Sequence, residues 1–188
     1  MSRHGSFKQT SDDGNSAVFG TWAPKLYAYY DKNLGKLLKE DPSLKRSFPS
    51  VFPAATYNLG PRTVCVPHRD LANLPFGYCA ITALGNYNPE TGGHIVLWEC
   101  KLIIEFPPGA TILIPSAIVT HFNIPVSKTE QRYSFTQYAA GGLFQWVDNN
   151  FKTSARHWAT LTRAQQEAKL EADGKRWQEG LDLLPTCE

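Results

Sequence analysis

The sequence predicts an α+β fold with a mainly β core, a sandwich or jelly-roll, carrying a helix at each end. Three observations predict it. Short β-branched and aromatic runs separated by Gly, Pro, Asn and Asp fill the stretch from Tyr57 to Trp146. A helical apolar face precedes them, and a helix-start signature follows them.

Taken in order, residues 1–20 are rich in Ser, Gly and Asp and read as a flexible leader. Leu26, Tyr29, Tyr30, Leu34, Leu37 and Leu38 then recur at helical spacing, predicting an N-terminal helix within 21–45 that Pro42 closes. The β core spans 55–151, with strands expected near 62–68, 78–84, 94–99, 101–106, 110–114, 118–122 and 131–138. Turns fall at Asn86-Tyr87-Asn88-Pro89, Thr91-Gly92-Gly93 and Pro107-Pro108-Gly109. Many short strands with this punctuation favour a sandwich over a parallel α/β sheet. Thr162 with Gln165 three residues on forms a capping box for a C-terminal helix within 160–185, which Ala168, Trp177, Leu181 and Leu184 would pack against the strands. Gly174 and Gly180 weaken that helix.

At 188 residues, 42% hydrophobic and 19% charged, the chain reads as one domain over 1–188 with a real core. It has no apolar run near the roughly 20 residues of a membrane span and no signal-like start, so an intracellular protein, monomeric and without a membrane partner, is expected. Cys65, Cys79, Cys100 and Cys187 have no CxxC spacing and read as reduced thiols. A net charge of +2 excludes a strongly basic nucleic-acid binder, so any phosphate contact must be local. Lys36, Lys39, Lys45, Arg46, Arg156, Arg163 and Lys169 are the candidates, and each cluster alone reads as a solvated helix face.

The chemistry concentrates at Pro67-His68-Arg69-Asp70. On a strand His68 and Asp70 project to one face and Arg69 to the other, so the imidazole and the carboxylate can share one metal. Fe(II) in oxygenases is held by two imidazoles and one carboxylate on one face, with positions left for a co-substrate and oxygen. His121, in a strand-like stretch, is the best third ligand. His4 lies in the leader, His94 follows a turn, and His157 falls after the strands. On the strand 131–138, Arg132, Ser134, Thr136 and Tyr138 share one face. An inward guanidinium beside hydroxyls suits the distal carboxylate of 2-oxoglutarate, Arg132 as a bidentate fork and Ser134 as an added donor. The alternative for Arg132 is a structural ion pair.

His68, Asp70, His121, Arg132 and Ser134 in this order are similar to the double-stranded β-helix of Fe(II)/2-oxoglutarate dioxygenases. Phe76-Gly77-Tyr78-Cys79-Ala80-Ile81-Thr82-Ala83-Leu84-Gly85, Gly92-Gly93-His94-Ile95-Val96-Leu97-Trp98, Glu105-Phe106-Pro107-Pro108-Gly109-Ala110-Thr111-Ile112-Leu113-Ile114-Pro115-Ser116-Ala117 and Arg132-Tyr133-Ser134-Phe135-Thr136-Gln137-Tyr138 narrow the match. Together they resemble the oxygenase domain of the TET/J-binding-protein family, in its fungal, transposon-associated branch, over about residues 20–151.

The resemblance implies a nuclear enzyme using Fe(II), 2-oxoglutarate and O2 to oxidise the methyl group of a methylated DNA base. The first substrate implied is 5-methylcytosine, carried to its hydroxymethyl form and beyond, and the second is N6-methyladenine. Duplex DNA would present the base flipped out of the stack. Tyr138 matches an aromatic stacking position. Asn73 matches a base-contacting position where relatives often carry an acid, and Ala140, at a second position, departs from a polar base-contacting residue seen in some relatives. Tyr138 as core and Asn73 as a turn residue are the structural alternatives, and Phe76 and Tyr78 read as packing. Two other functions are weighed: the same chemistry on RNA, a protein side chain or a small molecule, and a non-catalytic binding protein on the same fold.

Overall fold

The computed structural model describes residues 14–44 and 49–186. Residues 1–13 of the expected leader lie outside the described residues, and the rest of it is helical: α1 spans Gly14–Trp22. Pro24 then opens α2 (Pro24–Glu40), its missing N–H costing nothing in the first helical turn. Leu26, Tyr30, Asn33 and Leu34 form the buried stripe of α2. Asp41 leaves the helix in an extended conformation, as a residue preceding proline must.

Seven strands follow among the described residues: β1 (Ala54–Asn58), β2 (Cys79–Asn86), β3 (Ile95–Leu97), β4 (Leu102–Ile104), β5 (Thr111–Ile114), β6 (His121–Asn123) and β7 (Gln131–Tyr138). They make two antiparallel sheets, ordered β1-β7-β2-β5 and β4-β3-β6. Side-chain alternation on β2 divides the core. Cys79, Ile81 and Ala83 pack with Ile114 against Ile95 and Leu97 of the other sheet, with Phe106 and Val119 between them. Ala80 points the opposite way, into a cluster built from Phe19, Leu26, Tyr30, Phe52 and Phe144. The larger sheet therefore carries helices on one face and the smaller sheet on the other.

Polar residues on the helix-facing side of the large sheet are matched by one side chain of α1. The Asn15 amide donates to Gln137 Oε1 at 2.6 Å and to Thr82 Oγ1 at 3.3 Å, and its oxygen accepts from Thr111 Oγ1 at 3.1 Å. Hydrogen bonding here replaces water that helix docking expels.

Several expectations change. The strand expected over 62–68 is not a strand: only Arg62 and His68 form isolated bridges, to Arg132 and His121. A strand at β1 appears instead, paired with β7. Two helices follow the strands, α3 (Gly141–Asp148) and α4 (Ser154–Ala159), before α5 (Arg163–Leu181). The capping box at Thr162 and Gln165 is present at the start of α5. Ala168 and Trp177 stay exposed, however, because the apolar docking of α5 is at its end, where Gly180 is buried and Leu183 and Leu184 join the helix-side cluster, while Arg176 and Gln166 tie the helix to Asp148 and Trp158 by polar contacts. Arg163–Glu167, Lys169–Asp173 and Lys175–Glu171 pairs lace the rest of α5 in solvent.

Cys65, Cys79 and Cys100 are free, and burial pushes the Cys79 thiol up to about 12. Cys187 lies outside the described residues. No described helix is long and apolar enough to cross a membrane.

The two helix glycines of α5 differ in a checkable way. A Cβ at Gly180 would stand 2.2 Å from the Phe76 ring, whereas one at Gly174 meets nothing within 4 Å. Gly180→Ala is expected to destabilise the fold by about 1–3 kcal/mol through overpacking. Gly174→Ala should stabilise it by up to about 1 kcal/mol. Urea unfolding of the two variants measures both.

Candidate metal centre

His68 lies in the long connection between β1 and β2, and His121 opens β6. Their backbones lock reciprocally: His68 N–H donates to His121 O at 3.2 Å, and His121 N–H to His68 O at 2.9 Å. That pairing brings the rings together with centroids 4.4 Å apart and their planes tilted by 48°. Asp70 is brought in by a second tie, its N–H donating to Ser116 O at 2.9 Å. The two ligand-type residues of the His-x-Asp motif thus share a face because the loop is pinned at two points, not because they alternate along a strand.

Each imidazole is oriented by its own backbone. His68 Nδ1 meets Val66 O at 2.8 Å, and His121 Nδ1 meets Val119 O at 3.0 Å. A carbonyl only accepts, so both Nδ1 atoms carry the proton and both Nε2 atoms present a lone pair. Those lone pairs converge on Asp70: His68 Nε2 is 3.6 Å from Oδ1, and His121 Nε2 is 3.9 Å from Oδ2. The three ligand atoms all lie within 4.8 Å of one another. Nitrogen and oxygen ligands sit about 2.0–2.2 Å from a divalent ion, so a pair sharing one ion is at most about 4.4 Å apart. Both separations to Asp70 meet that limit. Burial lowers the His121 pKa below its ordinary value, with the nearby His68 adding to the effect against the opposing pull of the Val119 carbonyl and Asp70. A neutral imidazole is the form that binds metal. Two imidazoles and one carboxylate are the donor set of non-haem Fe(II) sites.

The triad opens onto a cavity of about 420 Å³. Arg132, Ser134, Thr136 and Tyr138 line it from β7, as alternation predicts, while Gln137 is buried on the helix side. Arg132 is 3% exposed. Its guanidinium reaches Thr63 O from Nη1 at 3.4 Å and lies against the Tyr87 hydroxyl, and its Nε has no partner among the described residues. No described Asp or Glu forms an ion pair with it, so the structural ion pair is absent among the described residues. Its charge is felt nearby: burial raises the pKa of the Tyr87 hydroxyl, and the guanidinium opposes that rise. Gly85, paired with Arg132 across β2 and β7, has φ +122°, and a Cβ there would stand 2.2 Å from Gln131 O. Only glycine lets β2 approach β7 this closely beside Arg132. Ser134 Oγ accepts from Asn58 Nδ2 at 2.9 Å, which leaves its own proton free to donate into the cavity.

Asn73 also lines the cavity, beside Asp70. Phe76 is buried against Tyr29, and Tyr78 packs on the same cluster. His94 and His157 stand apart from the triad, and His4 lies outside the described residues. Sequence reasoning overlooked Asn58, Asn123 and Thr56 as lining residues. Asn123 was readable, two residues beyond His121 on the same strand face. It accepts from Cys65 N–H at 2.8 Å and donates to Thr63 O at 3.2 Å, bracing the loop that carries His68. Asn58 and Thr56 gave no signal, because β1 is defined by pairing with a strand far along the chain.

No protein-family model matches the chain, and no curated protein matches it. Among solved structures it is similar to NgTET1 in complex with 5mC DNA, at 16% identity and a TM-score of 0.45, over 66% of this chain and 52% of that one. The chain therefore spans about half the length of that protein. It is also similar to the viral collagen prolyl hydroxylase vCPH from Paramecium Bursaria Chlorella virus-1 in its 2OG complex, at 14% identity and a TM-score of 0.34, over 58% of this chain and 70% of that one.

Removing a ligand should cost more than the roughly 10–100-fold in metal affinity that losing an outer partner costs. Anaerobic calorimetric titration with Mn(II) is expected to show one site in the native chain. His121→Ala and Asp70→Ala should each lose it, while His94→Ala keeps it.

Proposed function

We propose that this chain is an Fe(II)/2-oxoglutarate-dependent dioxygenase that oxidises the methyl group of a methylated DNA base. The observation that carries the reading is the convergence of two Nδ1-protonated imidazoles on one carboxylate, in the same cavity as a buried arginine with no acid paired to it among the described residues. We read the two packed sheets as a double-stranded β-helix.

In this reading His68, Asp70 and His121 hold Fe(II) by Nε2, a carboxylate oxygen and Nε2. Bound iron supplies the activation of O2 by which 2-oxoglutarate becomes succinate and carbon dioxide while one oxygen atom enters the methyl C–H bond. Arg132 takes the distal carboxylate of 2-oxoglutarate. A buried guanidinium without a counter-charge costs several kcal/mol, so an anion is the ligand it stabilises most. Ser134 donates to the same carboxylate, with Asn58 holding its oxygen. Tyr138 offers an aromatic face to a flipped base and Asn73 an amide. The substrate on this reading is duplex DNA carrying 5-methylcytosine, with N6-methyladenine as the other base, and the chain acts in the nucleus as a monomer.

A second reading keeps the chemistry and makes the substrate a protein side chain or a small molecule. It is favoured by the aliphatic residues Val66 and Leu71, 73% and 77% exposed beside the triad.

Mass spectrometry of duplex oligonucleotides carrying either methylated base, incubated with Fe(II), 2-oxoglutarate and O2, decides between them. The proposal predicts oxidised base and stoichiometric succinate, no product with Asp70→Ala, and with Arg132→Lys a rise of more than about tenfold in the 2-oxoglutarate KM, since lysine lacks the bidentate fork. Succinate formed without oxidised base would favour the second reading.

A further inference from the structure

Ser116 follows β5, and its side chain is almost completely buried at 1% exposure. It holds two groups of the metal loop at once. Its carbonyl takes the Asp70 N–H at 2.9 Å, and its hydroxyl accepts from Asn73 Nδ2 at 3.0 Å. The same Asn73 Nδ2 reaches Asp70 Oδ2 at 3.4 Å, and the Asn73 N–H closes a turn onto Asp70 O at 2.8 Å.

The direction of the amide follows from chemistry. An ionised carboxylate only accepts, so Asn73 must turn its nitrogen, and not its oxygen, toward Asp70. Both protons of that nitrogen are then committed, one to Ser116 and one to Asp70. Asp70 needs such a restraint: its side chain is 31% exposed, and without a partner its carboxylate is free to turn away from the imidazoles into solvent. Oδ2, the oxygen that Asn73 holds, is the one facing His121 Nε2.

We propose that Ser116 and Asn73 work as a pair of positioning residues, Ser116 setting the Asn73 amide and Asn73 holding the Asp70 carboxylate in the plane that faces both imidazoles. This rests on the reading of the triad as a metal centre. It gives Asn73 a task independent of any base, and it leaves the amide oxygen, which no described donor reaches, as the group Asn73 offers to a substrate.

The test is Co(II) binding, followed by titration and by the visible absorption of the bound ion, in the full chain and in Ser116→Ala, Asn73→Leu and the double variant. Asn73→Leu keeps the side-chain size, removes the donor and lies on a half-exposed loop, so it reports even if the buried Ser116→Ala fails to fold. Each single variant is expected to bind Co(II) about 10–100-fold more weakly with an altered absorption spectrum. The double variant should be no weaker than the poorer single, because the residues act as a unit. Single variants that bind like the native chain, with the same spectrum, would overturn the proposal, and additive losses would overturn the coupling. A native chain that binds no Co(II) would instead overturn the metal-centre reading itself.

Discussion

The structure depends on one reciprocal contact, the pair of backbone hydrogen bonds that joins His68 to His121. One partner sits in an irregular connection and the other at the start of a three-residue strand, so neither element is long enough to fix its own position. Joined, they settle the ring spacing, and each ring is then turned by its carbonyl two residues upstream. The result is a donor set in which the tautomer of both imidazoles is set by main-chain carbonyls. Asn123 and Ser116 brace the same connection from either side of the triad, so the irregular backbone is tied at several points rather than left to wander.

Around that contact the two sheets do different work. The larger sheet gains rigidity from both faces, apolar packing toward the smaller sheet and a hydrogen-bonded fit with Asn15 of α1 on the other. Its strand β7 can then carry Arg132 inward with no acid among the described residues to neutralise it. A buried, unpaired guanidinium is unfavourable for folding and favourable for binding an anion, and stability is often given up at functional sites in this manner. The absence of a described acid beside Arg132 therefore says more about the site than the presence of Arg132 in a strand.

What could be read from the sequence follows from how far each signal reaches. Strand β7 was legible because strand geometry sends every second residue to one face, and that placed Arg132, Ser134, Thr136 and Tyr138 in one cavity. The capping box of α5 was legible because it spans four residues. The His-x-Asp motif was legible as chemistry but not as geometry: strand alternation was the wrong reason for the right convergence, since 62–68 is held by ties to Arg132, His121 and Asn123. Strand β1 and the roles of Asn58 and Ser116 were not legible, because each is defined by a partner about 40 or more residues away and by no local pattern. Helix α5 misled in the other direction, its Gly180 being the point of closest packing, against Phe76, rather than a weakness.

The most direct test of the account is long-range 1H–15N correlation NMR of the imidazoles of His68 and His121, without metal and with Zn(II) as a diamagnetic stand-in. Both rings are expected as the Nδ1–H tautomer before metal is added, with their Nε2 resonances shifting most afterwards. An Nε2–H tautomer on either ring, or Nε2 resonances that ignore the metal, would contradict it.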